Sequence, residues 1–140
     1  MTATARARLS LAARVLLPIY LVVLCWIVFS QSDESTNATG LVAWVFEVID
    51  ELHASFEPAY VAIEFVANIA LFVPFGVLVR LAFARLPWWA IGLLGFATTV
   101  TIELVQITLP SRFSTVSDVV ANTLGTGLGL LAVWAFSRRG

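Results

Sequence analysis

"TIELVQITLPSRFSTVSDVVANTLG", residues 101–125, joins the end of one apolar run to the start of another through a short polar turn. It sets Glu103, Gln106, Arg112, Asp118 and Asn122 among side chains otherwise suited to lipid. Whether the two runs cross a membrane decides how these five polar groups are read.

The rest of the chain answers that. Of 140 residues, 60% are hydrophobic and only 12% are charged. A soluble domain of this size needs more polar surface than that. The apolar residues also fall in long runs, the mark of an integral membrane protein. Four runs are long enough to span: residues 11–30, 60–83, 88–109 and 119–136. Each approaches the ~20 residues a helix needs to cross a ~30 Å core. In lipid the backbone must satisfy its own hydrogen bonds, so helices are expected throughout.

Residues 41–56, "LVAWVFEVIDELHASF", are too short and too acidic to span. Leu41, Trp44, Val45, Val48 and Leu52 recur at helical spacing opposite Glu47, Asp50 and Glu51. This predicts a short amphipathic helix at the interface, in the loop between spans one and two. The basic residues, all arginine, fix the orientation. Arg6, Arg8, Arg14, Arg80, Arg85, Arg138 and Arg139 fall on one side and Arg112 alone on the other. By the positive-inside rule the expected topology is N-in, C-in, in the cytoplasmic membrane of a bacterium. The basic and apolar start lacks a small-residue cleavage site after Phe29, so an uncleaved first span is expected. The whole chain, 1–140, reads as a single transmembrane domain.

With that topology the polar residues gather at one depth. Glu103 and Gln106 share a face of span three, with Thr99 a turn deeper, about 10 Å below the outer end for Glu103. Asp118 and Asn122 are i, i+4 at the start of span four, and Glu64 and Asn68 are i, i+4 in the outer part of span two. A carboxylate facing lipid costs ~2.5 kcal/mol or more, which predicts that these groups turn inward and pair or meet water. The bland alternative is that Asp118 caps span four, Arg112 pairs with Glu103, and the amides link helices. Asp118, Asn122, Gly125 and Gly129 form one stripe by their 4, 3, 4 spacing, and the 125/129 pair suits close helix approach. Pro74, in "FVPFG" ahead of Gly76, cannot donate to Ala70 and is expected to bend span two.

Other features carry less. His53 is the one histidine and Cys25 the one cysteine, so neither a metal site nor an internal disulfide is expected. No phosphate loop, zinc motif or Ser-His-Asp set is present, and no basic face suits nucleic acid. No cofactor is expected.

The runs "NIALFVPFG" from Asn68, "ELVQ" from Glu103 and "RFSTVSDVVANTLGTGLG" from Arg112 together resemble the VanZ-like family of bacterial membrane proteins. The matching positions are Asn68, Pro74, Phe75, Gly76, Glu103, Gln106, Arg112, Asp118, Asn122 and Gly125. Many members carry further acids between the arginine and the aspartate, where this chain has Ser114, Thr115 and Ser117. That departure argues against metal or two-carboxylate chemistry. The resemblance implies a role at the cell envelope and, through the family's namesake, a link to resistance against the glycopeptide teicoplanin.

Three functions are compatible with the residues. In the first, an outward-facing pocket of Glu64, Asn68, Glu103, Gln106, Arg112, Asp118 and Asn122 binds a polar or lipid-linked envelope ligand or a glycopeptide, with Arg112 gripping an anionic group. In the second, an intramembrane enzyme uses Glu103 or Asp118 as general base and Arg112 to stabilise developing charge. The third is a small transporter half or assembly factor, homo-oligomeric along a glycine stripe. Membrane lipids are expected partners of all three.

Overall fold

The computed structural model describes residues 2–30, 51, 57–108 and 115–138, and the structural statements here concern those residues. They form four helices: α1 (Ala3–Ser30), α2 (Glu57–Ala82), α3 (Trp88–Ile107) and α4 (Val116–Arg138). All four are long and apolar enough to cross a membrane, and no strand occurs among the described residues. The amphipathic stretch 41–56, apart from Glu51, lies outside the described residues, as do Arg112 and Arg139.

Local chemistry sets the helix ends. α1 starts eight residues before the expected span because "ATARAR" is rich in strong helix formers. Thr2 closes that end: its hydroxyl accepts from Ala5 N–H at 3.3 Å and its carbonyl from Arg6 N–H at 3.1 Å. Between α2 and α3 the chain reverses in a few residues. Arg80 Nη1 donates to Ala84 O (2.7 Å) and Leu86 O (3.1 Å), and the guanidinium lies 4.6 Å from the Trp88 ring centroid. One arginine thus ties the turn together. Pro87, in extended conformation, leads into α3.

The tightest packing joins α2 and α4. A Cβ on Gly125 would collide with Ile69 O and Phe72 Cβ, and one on Gly129 with Val73 O and Val77 N. From the other side, a Cβ on Gly76 would meet Thr126 O. Three glycines on two helices therefore let backbone touch backbone, the small-residue solution for association in lipid. α1 packs on α2, and α3 packs on both α4 and α2. The core is Leu24, Phe72, Phe75, Val79, Ile91, Ile102 and Leu130. Large apolar side chains such as Trp26, Trp89, Val116, Leu131 and Phe136 point outward, an exposure that suits a lipid surround.

Pro74 lies inside α2, and α1 supports the helix beside it. Tyr20 donates its hydroxyl to Leu71 O at 2.7 Å, next to the Ala70 carbonyl that Pro74 cannot serve. A side-chain donor from a neighbouring helix thus reaches the backbone next to the proline.

Candidate functional site

The described polar residues Asn68, Glu103, Gln106, Asp118 and Asn122 lie toward the end of the bundle where α2 begins, α3 ends and α4 begins. Thr115 precedes α4 and makes a reciprocal cap with the residue three positions on. Its Oγ1 accepts from Asp118 N–H (3.2 Å) and donates to Asp118 Oδ2 (2.8 Å). The other carboxylate oxygen, Oδ1, accepts from Asn68 Nδ2 on α2 at 2.6 Å. Asp118 therefore has a partner on each oxygen, and its charge lies in the first turn of α4, where the helix dipole favours it. "T-x-x-D" is readable as a capping box, and this is the signal by which Thr115 could have been found.

One turn deeper, the α3 and α4 stripes touch. Asn122 Nδ2 donates to Thr99 Oγ1 at 2.8 Å, with Thr99 fully buried and Asn122 only 5% exposed. Thr126 donates to Asn122 O (3.1 Å) and fills the space beside Gly95. Asn122 Oδ1, however, is buried with no hydrogen-bond partner among the described residues. Turning the amide over does not remove the problem. Thr99 then serves the oxygen, and the NH2 is left instead. One end of this amide is unsatisfied in either orientation, at a cost of ~1–3 kcal/mol unless something else reaches it.

Glu103 and Gln106 complete the α3 stripe. Both are buried, Glu103 interacts with its surroundings, and Gln106 Nε2 donates to Val28 O of α1 at 3.4 Å. Six of the expected polar positions can thus be placed. Asn68, Asp118, Asn122, Glu103 and Gln106 lie at the helix interfaces. Glu64 lies on the exposed side of α2, where it too is engaged. So close to the start of α2, a carboxylate on a flexible side chain can reach the membrane edge instead of turning to the seam. Among the described residues, no three His, Cys, Asp or Glu side chains converge as a metal site would need.

The bundle's other half differs in character. Its centre is apolar, with Phe75, Val79 and Ile91 filling it. The polar seam is confined to one end.

Comparison with known proteins bears on this arrangement. A family model described as VanZ/LLP1 matches residues 17–137, which takes in the second half of α1 and nearly all of the other three helices. Protein VanZ of Enterococcus faecium is 26% identical over 129 residues, covering 84% of this chain and 71% of that protein. No solved structure matches the chain. Four membrane-spanning helices, the seam from Asn68 to Asn122 and the near full-length family match lead to one conclusion: the chain belongs to the VanZ-like family and is a multi-pass bacterial membrane protein.

Proposed function

We propose that the Asn68–Asp118–Asn122 end of the bundle faces outward and recognises the polar part of an envelope ligand, a lipid-linked precursor or a glycopeptide. The observation that carries this reading is the half-satisfied Asn122 amide, buried between α3 and α4 with one end unpaired among the described residues. A purely structural link between helices would be better made by an apolar side chain or a fully paired one. Binding fits better than catalysis because both oxygens of Asp118 are committed to Asn68 and Thr115, which makes this carboxylate a positioning group. It fits better than transport because the opposite half of the core is apolar. Arg112 supplies the cationic contact, and a link to glycopeptide resistance follows from the family.

Native mass spectrometry of the protein, gently extracted from its own membranes, tests the proposal. Wild type should retain a discrete lipid-linked or glycopeptide species that Arg112→Ala loses, and Glu103→Gln should retain it as well. Wild type and Arg112→Ala carrying the same bulk phospholipids would overturn the reading. A ligand that accumulates on Glu103→Gln in unreacted form would favour the enzyme instead.

A further inference from the structure

At the end opposite the polar seam, α1 and α3 are held apart and a groove runs between them. Leu17 and Leu21 of α1, Leu94 and Thr98 of α3, and Phe75, Val79, Phe83 and Leu86 line it, an open groove of about 370 Å³. That lies within the ~300–1,000 Å³ range of ligand sites. Gln106 and Val28 bring α1 and α3 together toward the seam, so the groove is closed there and open toward the turn at residues 83–86.

The mouth of the groove is cationic. Arg14 is i, i+3 and i, i+7 from Leu17 and Leu21, on the same face of α1 and a turn closer to the membrane edge. Its Nε donates to Ala82 O at 3.1 Å, beside Ser10 Oγ at 3.4 Å, which docks the guanidinium against the end of α2. Its Nη1 and Nη2 make no hydrogen bond among the described residues, and the side chain is exposed. Arg85, exposed on the turn next to the groove residue Leu86, has no hydrogen-bond partner among them either. Arg80, by contrast, is spent on the turn carbonyls and Trp88. Two unspent arginines thus stand at the same end as an apolar slot, Arg14 one turn along α1 from Leu17 and Arg85 next to Leu86 in the chain.

We infer that this groove is a binding site for an anionic phospholipid of the leaflet at the arginine end. One acyl chain lies along Leu17, Leu21, Phe75 and Val79, and the Arg14 fork holds the phosphate with Arg85 beside it. The charge of the mouth selects the occupant: a zwitterionic lipid offers the same chain but no net charge to two cations. A guanidinium already fixed through Nε presents its two remaining nitrogens in the geometry that takes two phosphate oxygens at once. The site is separate from the polar seam and does not depend on the function proposed for it.

The test is a native mass spectrometry competition on delipidated full-length protein, offered equal dioleoylphosphatidylglycerol and dioleoylphosphatidylcholine. Wild type should prefer the glycerol lipid, and Arg14→Gln should cut the preference about fivefold, the factor for one arginine near an anionic surface. Arg85→Gln, on an exposed turn, should lower it too, and tests the headgroup contact even where losing the Ala82 contact unfolds Arg14→Gln. Leu21→Trp, which fills the slot and leaves both arginines, should reduce binding of either lipid. Arg138→Gln, whose side chain stacks on Trp134 away from the groove, should behave as wild type. A preference that is absent, that survives Arg85→Gln, or that falls equally in Arg138→Gln would overturn the inference, as would undiminished binding of both lipids to Leu21→Trp.

Discussion

Asn122 and Asp118 sit one turn apart on the same stripe and solve their burial in different ways. Asp118 spreads its charge over an amide from α2, a hydroxyl from its own cap and the dipole of α4. Removing pieces should therefore cost in order. Thr115→Ala loses the cap and should destabilise by about 1 kcal/mol. Asp118→Ala keeps the Thr115 cap on its backbone N–H but removes the acceptor of both the Asn68 amide and the Thr115 hydroxyl, and should cost more, ~1–3 kcal/mol. Thermal midpoints in one detergent check the order, and Thr115→Ala proving the more damaging would mean the link to α2 is weak. Tyr20→Phe, which removes the donor to Leu71 O beside Pro74, should cost ~0.5–1.5 kcal/mol by the same measurement. Tyr20 could not be read from the sequence, because no spacing rule links residue 20 to residue 71. Thr115 could have been, from its box with Asp118. The interface positions of Asn68, Glu103, Gln106, Asp118 and Asn122 were legible because burial in lipid forces polar side chains to one face. Glu64 was not, since the same rule holds less firmly near a helix end, where a side chain can reach the membrane edge.

At the scale of the helices, the spans were legible from length and hydropathy, and the boundaries less so. α1 runs on to Ala3 because helix propensity continues where the apolar run stops. The glycines show the limit of pattern reading most clearly. Gly125, Gly127 and Gly129 look alike in sequence, yet only the first and last face α2. A Cβ on Gly127 would meet nothing within 4 Å, and the same holds for Gly92. Gly129→Ala should thus push α2 and α4 apart at ~1–3 kcal/mol. Gly127→Ala should be neutral or stabilise by up to ~1 kcal/mol through helix propensity. Thermal melts of the two variants side by side check this. Equal losses would show that the glycine stripe does not set the α2–α4 contact.

Over the whole molecule, polarity divides the bundle into two ends. Amides, carboxylates and hydroxyls crowd where α3 gives way to α4, while the end carrying Arg14, Arg80 and Arg85 is apolar inside and cationic at its rim. The positive-inside rule then predicts that the seam faces out and the arginine rim faces the cytoplasm. With Cys25 replaced by Ala, a cysteine at Ser117 should react with a membrane-impermeant maleimide in intact cells, and one at Ala84 only after lysis. The reverse pattern would invert the topology and place the seam at the cytoplasmic face.

The seam as a recognition site is tested most directly by Asn122→Leu, assayed for the ligand that wild type retains from its own membranes. The substitution removes a buried amide with one end unsatisfied and leaves Thr99 free to donate to its own helix, as Thr98 and Thr101 do. Thermal stability should therefore stay within ~1 kcal/mol of wild type while the retained species disappears. Undiminished retention at unchanged stability would contradict the account, and would leave the seam as a means of holding the helices together.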